Sequence, residues 1–331
     1  MSARQQAAAP YSALTPDAIL DAVESCGYRA DGRLQALASY ENRVYQIWTE
    51  ETGAIVAKFY RPSRWTDSAI QEEHSYALEL ADREIPVVAP LVIDGRTLHQ
   101  HAGFRFALYP RHGGRTPELG EAATLTQLGR FIARIHAVGA LRPFRHRPRL
   151  DPETYGWIPF RYVLERDFVP ADLREAYRSV VDDVLGRVAR CYERAGSVAN
   201  IRVHGDCHAG NILWTDAGPH FVDLDDTCSA PAVQDIWLCL SGDRAAMTAQ
   251  LAAFMQGYRA FNDFDAAELV LIEALRTLRL VNYAGWLARR WDDPAFPSNF
   301  PFFNTQRYWQ DHILALREQA AALDESPLEL E

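Results

Sequence analysis

The sequence has no long hydrophobic run, and this absence argues against a membrane-spanning protein. None of its segments approaches the roughly 18 consecutive apolar residues that a transmembrane helix needs. The opening stretch MSARQQAAAPYSALTP also lacks the cationic start and the apolar run of a secretory signal peptide. We therefore expect a cytoplasmic protein that does not associate with a membrane.

Paired cysteines and an excess of basic residues are missing as well. The five cysteines are scattered and form no C-x-x-C motif, so we expect reduced thiols rather than a disulfide framework. The net charge is -10 and the pI is about 5.5. This balance argues against a nucleic-acid partner, although it leaves room for a local basic pocket.

The pattern of apolar residues predicts an α+β protein with two lobes. Of the 331 residues 48% are hydrophobic, enough for a large packed core. After a loose tail over 1–13, Thr15, Pro16 and Asp17 predict the start of a helix. Residues 33–60 and 85–110 are typical of strands, and Asp67 to Ala81 has helical spacing.

Beyond residue 110 the pattern changes to long helices. The glycine pair in YPRHGGR marks a hinge, so we predict a sheet-containing N-terminal lobe over 1–110 and a mostly helical C-terminal lobe over 111–331. Its predicted helices are Thr124 to Val138, Ala171 to Arg194, Asp243 to Phe261, Asp265 to Arg290 and Asn304 to Leu323.

One stretch of this helical half is rich in polar residues that carry chemistry. RVHGDCHAGNILWTDAGPHFVDLDD, residues 202–226, contains two short apolar runs joined by the turn TDAG, which predicts a hairpin. The hairpin would bring Asn211 and Asp223 together, because its far end folds back beside its near end. Asp206 lies five positions before Asn211 and would be close to both.

Oxygen ligands of this kind suit magnesium and phosphoryl transfer. Magnesium takes a few carboxylate or amide oxygens together with phosphates and water. The D-x-x-x-x-N spacing also occurs in the catalytic loop of kinases. A plain Asx-rich turn and a zinc site made of His204, Cys207 and His208 are the alternatives. Zinc is disfavoured because no second Cys/His pair lies nearby.

The motifs resemble those of a known family. HGDCHAGN followed by FVDLDD is similar to the loop shared by aminoglycoside phosphotransferases and choline kinases. More closely, the chain resembles the stress response kinase A family, bacterial protein serine/threonine kinases with that fold. The segments that carry the closer resemblance are SYENRVYQ (39–46), VAKFYRPSRWT (56–66), EEH (72–74), HGDCHAGNILW (204–214) and FVDLDD (221–226).

This resemblance implies a role for each of five residues. It implies Asp206 as the proton acceptor, Asn211 and Asp223 as magnesium ligands, and Asp223 also as an active-site residue. It further implies that Ser39 influences ATP binding and that Lys58 pairs with the ATP phosphates. The cofactors implied are ATP and Mg²⁺. The resemblance also implies that the N-terminal lobe binds the nucleotide and that the C-terminal lobe carries the catalytic loop and the metal and acceptor sites.

Supporting residues follow from the same resemblance. The helix partner of Lys58 would be Glu73 or Glu72, with Glu73 preferred. Asp235 would be a buried carboxylate that holds the catalytic loop, and we expect His204 and His208 to brace that loop.

The sequence departs from the kinase pattern in two places. No G-x-G-x-x-G motif precedes Lys58, so the backbone of residues 40–42 and the Ser39 hydroxyl would have to cover the phosphates. The metal motif is D-L-D-D rather than D-F-G, so Asp225 or Asp226 would add a metal contact or support the loop.

We therefore predict a monomeric kinase that phosphorylates serine or threonine of proteins in a bacterial stress response. Two alternatives remain open at this point. The acceptor could instead be a small hydroxylated molecule such as an amino alcohol, an amino sugar or an antibiotic, because fold and catalytic loop do not define it. The protein could also be an ATP-binding regulator without turnover.

Overall fold

The computed structural model describes residues 10–330, which form two compact units. Unit 1 contains the described residues up to Gly113 together with Asp292–Phe296. Unit 2 contains Gly114–Trp291 and residues 297–330. The chain leaves unit 1 at the glycine pair 113–114, where the sequence predicts a hinge. The division of nucleotide and acceptor binding between the lobes stays a prediction, and nothing in the sequence indicated the return of 292–296 to unit 1.

Unit 1 is built on a five-stranded antiparallel sheet with two helices. The strand order in the sheet is β1-β2-β3-β5-β4. The hydrophobic core contains Ile19 and Ala22 of the first helix and Ile47, Phe59 and Phe106 of the sheet. The elements are α1 (Pro16–Glu24), β1 (Ala30–Leu37), β2 (Arg43–Thr49), β3 (Gly53–Phe59), α2 (Asp67–Ala81), β4 (His99–His101) and β5 (Phe104–Pro110).

Local sequence signals explain the ends of these elements. The Thr15 side chain accepts a hydrogen bond from Ala18 N–H and caps α1, as the sequence predicts. The Thr66 side chain caps α2 in the same way, and α2 covers the predicted residues 67–81. Of the predicted tail over 1–13, residues 10–13 are described, and they form a turn. The rest of the tail lies outside the described residues.

The expectation of strand over all of 85–110 is wrong for its first half. Strand forms only at β4 and β5, and most of 85–98 has no regular structure. Pro86 and Pro90 have no N–H to donate to a sheet, so the apolar residues between them form no continuous strand, and Val87 makes an isolated bridge.

Unit 2 is mostly helical, with two small β pairs in and around the polar stretch. Strands β6 and β9 pair antiparallel, as do β7 and β8. The predicted helix over 265–290 begins as a tight turn at Ala266–Leu271 before α8. The elements are α3 (Ala122–Gly139), α4 (Ile158–Glu165), α5 (Arg174–Ala195), β6 (Ile201–Val203), β7 (Ile212–Thr215), β8 (Gly218–Phe221), β9 (Cys228–Ala230), α6 (Val233–Trp237), α7 (Arg244–Tyr258), α8 (Ile272–Arg289), α9 (Ala295–Asn299, which begins in the 292–296 segment) and α10 (Gln306–Ala322).

Within residues 10–330, no helix has both the length and the apolar character that crossing a membrane requires.

Candidate active site

The predicted hairpin forms and brings the ends of the polar stretch together. Ile212 pairs with Phe221 at the open end of the β7–β8 hairpin. One step further out, Val222 N–H donates to the Asn211 carbonyl at 3.0 Å. Asp223 therefore begins directly beside Asn211, although twelve positions separate them in the chain.

Asp206 lies at the centre of a network of hydrogen bonds and charges. Its Oδ1 lies 2.7 Å from Nη1 of Arg279, and its Oδ2 lies 3.4 Å from Nε2 of His208. Burial raises the pKa of Asp206, but the hydrogen bond from His208 and the charge of Arg279 outweigh it and hold the pKa below its ordinary value. The carboxylate is therefore ionised at neutral pH, as a group that accepts a hydroxyl proton must be.

Asn211 is oriented by Asp206. Its Nδ2 donates to the Asp206 carbonyl at 2.9 Å and lies 3.3 Å from Asp206 Oδ2. Because Nδ2 is committed to Asp206, the amide oxygen Oδ1 points away from that carboxylate. An oxygen presented in this way fits a hard divalent cation such as magnesium.

Asp223 adopts a backbone conformation that is rare for a residue with a side chain. Its φ is 59° and its ψ is 63°, in the left-handed region, which costs an ordinary residue about 1–2 kcal/mol. The side chain is exposed at the end of the hairpin. Aspartate tolerates this conformation better than most residues, because its short polar side chain can hydrogen-bond locally.

The loop that carries Asp206 and the segment that follows Asp223 approach each other very closely at Gly205. A Cβ atom at Gly205 would lie 2.2 Å from the Asp226 carbonyl oxygen, and its φ is +86°. Only glycine fits here, because a side chain would meet backbone and the conformation disfavours one. Gly205 therefore sets the spacing between Asp206 and the segment that follows Asp223.

Asp235 braces the same loop from within the core, as the resemblance implies. Its two carboxylate oxygens accept hydrogen bonds from His204 N–H and Gly205 N–H, each at 2.8 Å. His136 Nε2 lies 3.1 Å from Oδ2, and Asp235 is fully buried. The backbone just before Asp206 is thereby fixed.

The two loop histidines also support the loop. His204 Nδ1 accepts from Asp206 N–H at 3.4 Å, and its Nε2 donates to the Val222 carbonyl at 2.9 Å. His208 Nδ1 accepts from Gly210 N–H at 2.9 Å, which leaves its Nε2 to face Asp206. His204 thus joins the catalytic loop to the hairpin that carries Asp223.

A zinc site does not fit these residues. The ring nitrogens of His204 and His208 are already engaged, and Cys207 is buried, which raises the pKa of its thiol well above the ordinary value. No group of three or more His, Cys, Asp or Glu side chains suited to holding a metal occurs among residues 10–330. Magnesium differs in this respect, since it needs few protein ligands when phosphates and water complete its shell.

The loop after Asp223 is held by an arginine that sequence reasoning missed. Arg147 donates through Nε to the Thr227 carbonyl at 2.9 Å and through Nη2 to the Asp225 carbonyl. Asp225 is buried and lies in the short turn Leu224–Asp226. Because Asp225 is buried, it is better placed to support the loop than to contact a metal.

Unit 1 carries the predicted lysine and its acidic partner. Lys58 on β3 and Glu73 on α2 are both buried, and Nζ lies 3.8 Å from Oε1. Glu73, the preferred helix partner, therefore lies beside Lys58. A lysine held beside a carboxylate in this way is positioned to bind phosphate.

Ser39 lies in the loop that occupies the position of the missing glycine motif. This loop follows β1 and is fixed by a second missed arginine, Arg61. Arg61 Nε donates to the Glu41 carbonyl at 3.0 Å, and Arg61 N–H donates to Asn42 Oδ1 at 3.1 Å. Arg61 Nη2 also lies 2.8 Å from Asp293 Oδ2, in the returning segment 292–296. No motif signals this contact, because the two partners are far apart in sequence.

The structure thus brings Asp206, Asn211 and the hairpin end at Asp223 together in unit 2. Ser39 and Lys58 belong to unit 1. The arginines that contact these loops, Arg61, Arg147 and Arg279, could not be found from the sequence, because arginine is common on surfaces and their partners are distant in the chain.

Solved structures with the same fold share this architecture. The chain is similar to the amicoumacin kinase hAmiN in complex with AMP-PNP, Ca²⁺ and Ami, with a TM-score of 0.71 and 18% identity over 95% of this chain and 96% of the other. It is also similar to a microcompartment-associated aminopropanol kinase, with a TM-score of 0.66 and 17% identity over 92% and 96%. At such identities the likeness establishes the fold, a two-lobed kinase-like fold with a sheet-containing first lobe and a helical second lobe.

Relatives at higher identity define the family more closely. Stress response kinase A of Salmonella choleraesuis (strain SC-B67) and of Escherichia coli (strain K12) are each 44% identical over 97% of both chains. Serine/threonine protein kinase RdoA of Salmonella typhimurium (strain LT2) is 43% identical over the same share. The model of the phosphotransferase enzyme family (APH) matches residues 33–270. The chain therefore belongs to the phosphotransferase enzyme family and, within it, to the stress response kinase A family.

Proposed function

We propose that this protein is an ATP- and Mg²⁺-dependent kinase that transfers the γ-phosphoryl group to serine or threonine hydroxyls of proteins in a bacterial stress response. Membership of the stress response kinase A family supports the reaction and the acceptor class, since relatives over nearly the whole chain carry those names. The observation that carries the proposal is the contact of Asn211 with Asp206 at the end of a hairpin that returns the chain to Asp223.

Asp206 is the residue that receives the acceptor. Its ionised carboxylate accepts the hydroxyl hydrogen bond and aligns the oxygen for attack. As the new bond from this oxygen to the γ-phosphorus forms, the bond to the β–γ bridging oxygen breaks and ADP leaves with its electron pair. The hydroxyl proton passes to Asp206.

Asn211 and Asp223 are the residues that would hold magnesium. Asn211 would offer the oxygen of its oriented amide, and Asp223 would offer an exposed carboxylate at the end of the hairpin. A bound magnesium ion would neutralise negative charge on the phosphates. The protein's own contribution is positional, because Asp235, His204 and Gly205 fix the loops before any ligand arrives.

Nucleotide binding also depends on Lys58, Glu73 and Ser39. Glu73 orients the Lys58 ammonium, which pairs with the α and β phosphates. In place of a glycine-rich loop, the Ser39 hydroxyl and the backbone of residues 40–42 cover the phosphates. The contacts from Arg61 supply the rigidity that this loop needs to do so.

The experiment that tests this function compares acceptors. Purified protein is incubated with γ-labelled ATP and magnesium, once with general protein substrates and once with a panel of amino alcohols, amino sugars and antibiotics. We expect label in protein serine or threonine, and none when Asp206 is replaced by Ala. Asp263→Asn, an exposed carboxylate of the same unit, is the matched control and should retain full activity.

Other outcomes have clear meanings. Label in metabolites alone would replace the protein acceptor with a small molecule. ATP binding that requires magnesium, without a product from any acceptor, would favour a regulator. Wild-type rates from the Asp206→Ala variant would contradict the assignment of the base.

The cytoplasmic location and the monomeric state inferred from the sequence belong to the same proposal. Light scattering of the purified protein tests the second, with a mass near 37.4 kDa expected for a monomer.

A further inference from the structure

Both oxygens of the Asp206 carboxylate are already occupied. His208 and Asn211, from the same loop, approach Oδ2, whereas Arg279 approaches Oδ1 from α8 at 2.7 Å. An acceptor hydroxyl that binds Asp206 must therefore share or replace one of these contacts. His208 and Asn211 are tied to the loop itself through Gly210 N–H and the Asp206 carbonyl.

Of these three contacts, the one from Arg279 is the one that an acceptor can displace from Asp206. Its side chain is 47% exposed, and Asp206 is the one carboxylate within 4.0 Å of it among the described residues. Arg276, one turn earlier on α8, differs because it pairs with Glu273 at 3.1 Å and lies over the Trp237 ring. The charge of Arg276 is therefore balanced locally, whereas that of Arg279 is balanced by the catalytic carboxylate.

An acceptor at Asp206 then meets a positive charge close to its reacting hydroxyl. If Arg279 releases Asp206, its guanidinium is a few ångströms away and lacks an anion. A carboxylate or phosphate on the acceptor can take the place of Asp206 with a charge-assisted, bidentate hydrogen bond. An ammonium group at that position would instead be repelled.

We propose that Arg279 is a specificity-determining residue that selects acceptors with a carboxylate or phosphate next to the reacting hydroxyl and disfavours cationic acceptors. For a protein kinase this means serine or threonine flanked by acidic residues. The inference rests on the proposed function to the extent that Asp206 receives the acceptor. It goes beyond that function because it names the charge of the acceptor.

The test uses two peptides of equal length with a single serine, flanked by Asp in one and by Lys in the other. The kcat/KM ratio of the acidic to the basic peptide is measured for wild type and for Arg279→Glu, Arg279→Gln and Arg279→Lys. We expect a preference of roughly tenfold or more for the acidic peptide in wild type, which corresponds to about 1.4 kcal/mol. Arg279→Gln should abolish it, Arg279→Glu should reverse it and Arg279→Lys should keep part of it.

Two controls separate specificity from damage to the fold. Arg307→Glu, which reverses an arginine that is 90% exposed on α10, should leave the ratio unchanged. The KM for ATP should stay within about twofold in all the variants, since specificity for the acceptor requires no change in nucleotide binding. Equal ratios in wild type and Arg279→Glu, or a wild-type preference for the basic peptide, would overturn the proposal.

The same variants are assayed with a small hydroxy acid and a small amino alcohol. If the peptides fail as acceptors but the hydroxy acid is phosphorylated with the same dependence on residue 279, the protein acceptor is wrong and the role of Arg279 stands. If peptides are phosphorylated with a ratio that no variant changes, the protein acceptor stands and the role of Arg279 is wrong. Absence of transfer to all four acceptors by the wild type contradicts both.

Discussion

Arg61 and Asp293 form a buried ion pair, with Nη2 and Oδ2 2.8 Å apart, although 232 positions separate them in the chain. Arg61 also donates to the Glu41 carbonyl and, through its backbone N–H, to Asn42. One side chain therefore connects the returning segment 292–296 with the loop that follows Ser39.

Asp293→Ala should destabilise unit 1 and weaken nucleotide binding. Arg61 would keep the Glu41 carboxylate, 2.9 Å from its Nε, as its remaining ion-pair partner, so we expect a loss smaller than the roughly 3–5 kcal/mol that a fully unpaired buried charge costs. We expect this loss in denaturant unfolding and a rise in KM for ATP that exceeds the fall in kcat. Glu51→Ala, which breaks an exposed pair with Arg29, is the control and should change neither quantity. An unchanged KM in a folded Asp293→Ala variant would show that the loop does not depend on this contact.

Gly205→Ala should displace the catalytic loop. The added Cβ would meet the Asp226 carbonyl oxygen at 2.2 Å, so Asp206 and the segment that follows Asp223 must move apart. A displacement of about 1 Å can lower kcat by roughly 100-fold. Gly27→Ala is the control that separates the steric clash from the cost of the backbone conformation. Gly27 has a similar φ of +89°, but nothing lies within 4 Å of its Cβ position. Equal activity of the two variants would remove the steric argument.

Asp235→Asn should lower both stability and turnover. The amide can accept from only one of the two N–H groups of His204 and Gly205, and it turns a donor toward the other. Hydrogen bonds to a charged group contribute about 1.5–3 kcal/mol each, so we expect a loss of about 2 kcal/mol. Urea unfolding measures the stability, and single-turnover kinetics measures transfer. Wild-type values for both would mean that the loop holds its shape without this carboxylate.

The stability of the protein should fall with rising pH because of Glu268. Burial raises its pKa to about 7 from an ordinary value of 4.5, and its Oε2 accepts from Val233 N–H at 2.8 Å at the start of α6. The native state binds this proton more tightly than the unfolded state. The resulting stabilisation is complete below about pH 4.5 and is lost as the pH rises through 7.

Glu268→Gln should therefore remove part of the pH dependence. Between pH 8 and pH 5 the wild type should gain roughly 2 kcal/mol relative to the variant. Urea unfolding at three pH values measures the difference. Parallel curves for the two proteins would contradict the assignment to Glu268.

Local patterns in the sequence predicted the fold well where they dominate. Thr15 and Thr66 cap α1 and α2, and the TDAG turn closes the hairpin that brings Asn211 to Asp223. Each of these depends on residues only a few positions apart. The apolar run around Pro86 led to a wrong prediction of strand, because hydrophobic character alone does not distinguish a strand from a packed loop.

The residues that the sequence did not reveal act over long distances. Arg61, Arg147 and Arg279 contact loops that lie 19 to 232 positions away. The residue type gives no indication of these contacts, since the sequence does not distinguish an arginine on the surface from an arginine that orders a loop. Only the folded chain shows which carbonyl or carboxylate each one faces.

Titration of magnesium-ATP into two variants tests the central claim most directly, which is that Asp206 handles the acceptor while Asn211 and Asp223 hold the metal. In isothermal titration calorimetry with and without magnesium, we predict that Asp206→Ala binds ATP with nearly wild-type, magnesium-dependent affinity yet transfers no phosphate. Asp223→Ala should lose the magnesium dependence of binding. If Asp223→Ala binds magnesium-ATP like the wild type, or if Asp206→Ala loses that binding, the division of roles between the two aspartates is wrong.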